Sequence, residues 1–259
     1  MEIYLYRDRD SPLHRLDPRT KLLLVVAVIL LAVAGEQPLL PAALQAMGLI
    51  AIHVAGAWPS LRRVRTLLLI ITVFSVVVWT LRSRGATRLF GPVALESLLY
   101  GLSTGLKLSA TITASVVWLS TTRNEEITAG FIRMGVPYRV AFAFSTALRM
   151  VPTFVGAGAT ILQAQRARGL SVESGGLLSR MRKHLPLLVP IFASVLRSAD
   201  QLAMALEAKG FGAQRQRSSL LQLTMSLCDW LVTVGALAAM GASVWIALGG
   251  HLRLAGLYR

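Results

Sequence analysis

PYRVAFAFSTALRMVPTFVGAGATILQAQRARG at residues 137–169 and LLSRMRKHLPLLVPIFASVLRSADQLAMALEAKG at 177–210 are two apolar helical runs. The architecture turns on whether they cross a bilayer or lie beside it. As a spanning hairpin they would put Arg180, Arg182 and Lys183 on the outer side and Arg149 and Pro152 at mid-membrane, both unfavourable. The strictly apolar part of the second run, 185–196, is only about a dozen residues long and contains Pro186 and Pro190, too short and too broken for a ~30 Å hydrocarbon core. The expectation is therefore long helices along or beneath the inner face, the alternative being a seven-span chain.

Around these runs the chain is that of a membrane protein. Hydrophobic residues make up 54% of the 259 and charged residues 15%, a composition outside the soluble range. The net charge of +15 raises nucleic acid as a partner, but phosphate binders carry their basic patch on a soluble fold, so positive-inside topology is the simpler account. Asp17 as N-cap and Pro18 at the first helical position start a span that runs to Gly35. Its apolar part is short, so Thr20 and a snorkelling Lys21 must share the depth. Further spans are expected at 39–58, 66–81, 92–119 and 220–249. With the N-terminus inside, residues 1–21, 58–65 and 123–217 hold 21 of the 27 Lys and Arg; the Arg82, Arg84 and Arg88 cluster breaks the rule locally. The fold class is all-α and polytopic: four spans in 1–122, a cytoplasmic-side helical region in 123–218, and a C-terminal span in 219–259.

Start and stop signals divide the middle region. Thr122 with Glu125 forms a capping box, with Asn124 as a rival cap. The helix that follows presents Ile127, Phe131 and Met134 on one side, as an interfacial helix does. Gly135 ends it and Pro137 opens the next, which stops at Gly169, the usual left-handed position after a helix. Ser171–Gly176 reads as a polar turn, and a Pro-interrupted stretch then ends at Gly210 and Gly212. Two basic helix tips result: Ala167, Arg168 and Gly169, and Ala208, Lys209 and Gly210. A cation in the last turn before a glycine is an ordinary helix terminus, favoured by the macrodipole. The pair is less ordinary, because each also carries an alanine three residues earlier, Ala164 and Ala205. The end is thus thin enough to enter a groove, with the cation as its long side chain.

Other chemistry is sparse. No G-x-x-x-x-G-K-[ST] occurs, the nearest stretch being Gly101–Lys107, so no nucleotide cofactor is expected on this chain. His14, His53, His184 and His251 are scattered, with no metal-ligand spacing. Cys228 is the lone cysteine and cannot form an intrachain disulfide. The N-terminus lacks a small-residue cleavage site, so no cleavable signal is expected. Ser97, Gly101, Gly105, Ser109 and Thr113 recur every four residues, a stripe that permits close helix packing within the chain or a sliding surface for a membrane partner. Lys107 on the same span needs a partner, for which Asp229 is the candidate. Arg149 and Asp200 form a second candidate pair. A secondary transporter would show inverted repeats, and no two halves match. A membrane enzyme would show clustered His, Asp or Glu, which the 12 acidic residues do not form.

The chain resembles the transmembrane T component of energy-coupling-factor (ECF) transporters, the EcfT/CbiQ family. The matching residues are SPLHRLDPRTK (11–21), TTRNEEITAGFIRMGVPYR (121–139), ALRMVPT (147–153), QRARG (165–169) and EAKGFG (207–212). Paired Ala-Arg-Gly tips are that family's most specific mark, and Lys209 departs from the usual Arg. The resemblance implies a subunit of a bacterial or archaeal cytoplasmic membrane, with its N-terminus and coupling helices on the cytoplasmic side. Its expected partners are two ABC-type ATPases, which hold the ATP and Mg, and a small membrane S component that captures a vitamin or a metal ion. The two tips would rest in grooves of the ATPases. With Lys209 unable to form the bidentate fork open to Arg168, the two contacts would be inequivalent.

Overall fold

Asp17 does what its position before Pro18 predicts: its Oδ1 accepts the Arg19 backbone N–H at 2.9 Å, and its carbonyl accepts that of Lys21 at 3.1 Å. The computed structural model describes residues 9, 11–34, 37–82, 88–90, 93–170, 176–213 and 223–248. Among them are the helices α1 (Pro12–Arg15), α2 (Pro18–Ala34), α3 (Leu39–Ala55), α4 (Trp58–Arg82), α5 (Leu95–Thr121), α6 (Asn124–Arg133), α7 (Tyr138–Ala167), α8 (Leu177–Ala208) and α9 (Leu227–Leu248). One small antiparallel ribbon, β1 (Arg88–Phe90) with β2 (Val93–Ala94), lies between α4 and α5. The protein is all-α, and five helices are long and apolar enough to cross a membrane: Trp58–Leu81, Leu95–Thr121, Tyr138–Ala167, Leu185–Ala208 and Leu227–Trp245.

Several expected boundaries move, each for a local reason. Gly56 adopts φ 67 and closes α3 with its N–H on His53 O, so Trp58 opens α4 instead of ending the second span. Arg62, Arg63 and Arg65 consequently lie inside α4, not in a loop before it. The β ribbon takes Val93 and Ala94, and α5 starts at Leu95. The α6 cap is Arg123, whose backbone N–H donates to Glu126 Oε2 at 3.2 Å, one residue later than a Thr122–Glu125 box. The buried face of α6 is Ile127 and Gly130, whereas Met134 is exposed. Pro186 and Pro190 do not interrupt α8, which is continuous over 32 residues. The apolar part of α8 is accordingly not too short to span: α7 and α8 both meet the length and composition of membrane helices. The expected turn at 171–176 lies, except for Gly176, outside the described residues.

The chain forms two compact units, Met1–Val136 with Leu223–Arg259, and Pro137–Gln222. In the first, α2, α3 and α4 pack on α5, and α9 packs on α2. Ile52, Ala55, Ala57, Leu61 and Leu68 form one apolar core, on which Leu13 packs; Ala32, Leu44 and Ala110 form another. The stripe on α5 is buried throughout, Ser97 and Thr113 completely. A Cβ on Gly101 would come within 2.8 Å of Val76 Cα, and one on Gly105 within 2.8 Å of Thr72 Cα. The helices touch backbone to backbone, and hydroxyls stitch the seam: Thr72 Oγ1 with Ser109 Oγ at 3.1 Å, and Ser75 Oγ donating to Gly101 O at 3.0 Å. Helix association of this kind rests on close packing and interhelical hydrogen bonds. The second unit consists of α7 and α8, packed on each other.

Candidate functional site

Both basic tips end in the same backbone device. At the first, Arg168 is the cap residue, Gly169 has φ 90, and the N–H groups of Gly169 and Leu170 bond Arg166 O and Gln165 O, both at 3.0 Å. At the second, Lys209 is the cap residue, Gly210 has φ 70, and the N–H groups of Gly210 and Phe211 bond Glu207 O at 2.8 Å and Leu206 O at 2.9 Å. These are paired Schellman closures, which satisfy the terminal carbonyls and stop the helix abruptly. Ala164, Ala167, Arg168, Gly169, Ala205, Ala208, Lys209 and Gly210 are all exposed. No hydrogen bond or ion pair engages the Arg168 or Lys209 side chain among the described residues.

The tips do not sit side by side. Phe211, just past the second tip, packs its ring in a tilted arrangement with its centroid 4.7 Å from that of Phe142 and 6.0 Å from that of Tyr138, on the first turns of α7. Lys209 is thereby held at the N-terminal end of α7, while Arg168 ends the same 30-residue helix. At the α-helical rise the two cations stand about 40 Å apart. Sequence periodicity carries no sign of this, because the Tyr138–Phe142–Phe211 cluster joins residues far apart in the chain.

The Asp229 carboxylate is engaged by partners other than Lys107. Asp229 Oδ1 accepts the Asp17 backbone N–H at 2.9 Å, and its Oδ2 accepts the Ser226 N–H and Oγ–H, both at 2.8 Å. This carboxylate caps α9 and ties it to the start of α2. It lies level with Thr121, roughly 20 Å along α5 from Lys107. Asp200 is exposed. The α5 stripe of Gly101, Gly105 and Ser109 is consumed by packing on α4, so it offers no sliding surface.

A polar hub is present instead. Lys21 does not snorkel: it is buried, with Nζ donating to Thr121 O at 2.8 Å and His14 O at 3.0 Å. Its ammonium closes the C-terminal end of α5, where a cation complements the helix dipole, and fastens α1 there. With the Asp17–Asp229 bond, it gathers α1, α2, α5 and α9 at one end of the first unit. Among the described residues no group of three or more His, Cys, Asp or Glu could hold a metal ion.

The fold and the two exposed cationic tips define a multi-pass helical membrane protein whose distinctive surfaces are helix ends. Residues 9–220 match the CbiQ family model, described as cobalt transport protein. The chain is 35% identical to the energy-coupling factor transporter transmembrane protein EcfT of Heliobacterium modesticaldum, over 94% of this chain and 95% of that one. The protein of the same name from Thermosediminibacter oceani is 32% identical over 94% of each, and that from Bacillus selenitireducens 31% over 88% and 90%. This chain belongs to the CbiQ/EcfT family of energy-coupling factor transporter transmembrane proteins.

Proposed function

We propose that the chain is the scaffold and energy-coupling subunit of an ECF-type importer, transmitting the motion of two ABC-type ATPases to a small S component that captures a vitamin or a transition-metal ion. The observation that carries this reading is the pair of exposed cations about 40 Å apart, each on a rigidly capped helix end. Two such knobs suit two receptors and are too far apart for one groove. An acidic or carbonyl-lined floor in each ATPase would receive the cation, since a buried charge needs a partner. The chain itself performs no chemistry in this scheme, and ATP and Mg belong to the ATPases. Arg168 forks to a carboxylate, whereas Lys209 supplies a point charge.

The same reading places α7, α8, the N-terminus and the Lys21 hub on the cytoplasmic side. Support comes from the end of the first unit that carries Arg15, Arg19, Arg62, Arg63 and Arg65, as a positive-inside end should. In this orientation α7 and α8 are the coupling helices. Their length would otherwise permit a span, but spanning would draw Arg149 into the bilayer.

Affinity purification in mild detergent should recover two ATPase chains, or one homodimer, with the wild-type protein. The Arg168→Glu/Lys209→Glu variant should lose at least tenfold of that recovery per tip, given about 1.5–3 kcal/mol for a hydrogen bond to a charged group. Arg168→Lys should be milder than Arg168→Glu, and Lys209→Arg should be tolerated. Wild-type ATPase recovery by the double variant, or full transport by the chain purified alone, would overturn the proposal.

A further inference from the structure

The α3–α4 corner carries charge that no other described residue pairs. Arg62, Arg63 and Arg65 are exposed and have no hydrogen-bonding or ion-pairing partner among the described residues. No Asp or Glu occurs anywhere between Glu36 and Glu96. Arg62 and Arg65 are three apart on one helix and repel each other, a penalty that a bound anion relieves. Below them on the same stripe follow Leu69, 65% exposed, and Val73, 60% exposed; above them Trp58 is 45% exposed. Thr72, Ser75 and Val76 of α4 pack on α5, and the stripe runs along the flank of that contact with Leu69 and Val73 left exposed. Trp58 Nε1 donates to His53 Nδ1 at 3.2 Å, holding the indole at the corner.

We propose that Trp58, Arg62, Arg65, Leu69 and Val73 form a binding site for an anionic phospholipid, its phosphate held by Arg62 and Arg65 and one acyl chain lying on Leu69 and Val73. The order along the helix is that of a lipid at a membrane surface: an amphipathic ring at headgroup level, then two cations, then bare apolar side chains. Arginine suits the phosphate because its planar fork can grip two oxygens at once. A water-soluble acidic partner would leave Leu69 and Val73 exposed, whereas a diacyl lipid satisfies both halves of the stripe.

The test uses the purified full chain in detergent, without ATPases, so its outcome is independent of the coupling role. Native mass spectrometry would count retained dioleoylphosphatidylglycerol against dioleoylphosphatidylcholine. The anionic lipid should be retained preferentially, and Arg62→Gln/Arg65→Gln should weaken its retention about thirtyfold, roughly fivefold per arginine. Arg62→Lys/Arg65→Lys should keep most of it, and the charge-matched Arg139→Gln/Arg197→Gln should keep all of it. Phosphatidylglycerol brominated on its acyl chains should quench tryptophan emission more than brominated phosphatidylcholine does, and Trp58→Phe should abolish the difference. Equal retention of the two lipids, unchanged retention in the double Gln variant, or displacement by millimolar inorganic phosphate would each overturn the site.

Discussion

Lys21 shows how far a single residue's role depends on what surrounds it. From sequence it is a cation near the end of a short apolar run, for which snorkelling to the headgroups is the ordinary solution. In the fold the carbonyls of His14 and Thr121 converge on its ammonium, and it remains 5% exposed. Lys21→Met would leave both carbonyls unpaired and the buried Asp17 and Asp229 without their nearby cation, a loss of about 3–5 kcal/mol. The expected result is a marked fall in apparent Tm in detergent, and an unchanged melting curve would refute the hub. At the tips the decisive residues are Gly169 and Gly210, held at φ 90 and 70. A β-branched residue there costs about 1–2 kcal/mol, so Gly169→Val should fray the end that presents Arg168. That variant should weaken ATPase recovery while sparing global stability, and Gly169→Asn should be milder, as asparagine tolerates the left-handed region.

Among the elements, α4 and α5 depend most on close approach. Gly105 lies against the Thr72 backbone, whereas a methyl group on Gly156 of α7 would meet nothing within 4 Å. Gly105→Leu must therefore force α4 off α5, while Gly156→Ala should be neutral or stabilise by up to about 1 kcal/mol through helix propensity. Thermal unfolding of the two variants separates the predictions, and equal behaviour would contradict the packing. The four-residue spacing of the stripe was legible in the sequence, but its partner was not, since small residues license close approach by any helix. Helix ends governed by local chemistry, at Asp17, Gly135, Gly169 and Gly210, could be read directly. The α6 start and the course of α8 could not. A cap is chosen among rivals by the backbone path that enters it, and a proline inside a helix is tolerated when the surrounding turns hold.

At the scale of the whole molecule, the separation of the tips is the quantity that matters for coupling. Spin labels at Ala167 and Ala208 in a Cys228→Ser background should report a distance of about 40 Å. A distribution centred below about 25 Å, far short of the length of α7, would show that the Phe211 contact with Phe142 does not organise the second unit, and a single receptor would then suffice for both tips. The lipid site at the α3–α4 corner belongs to the first unit and can be lost without altering that distance.

Composition, charge order and the glycine-terminated basic tips were determined by the sequence alone, because hydropathy, charge bias and helix termination are local properties. They were enough to establish a helical membrane protein, its EcfT/CbiQ resemblance and the tip residues themselves. Only the tertiary structure decided that Asp229 serves Asp17 and Ser226 instead of Lys107, that the α5 stripe is spent on α4, and that Arg168 and Lys209 stand at opposite ends of α7. Each of these depends on residues distant in the chain being brought together, which no spacing along the sequence encodes.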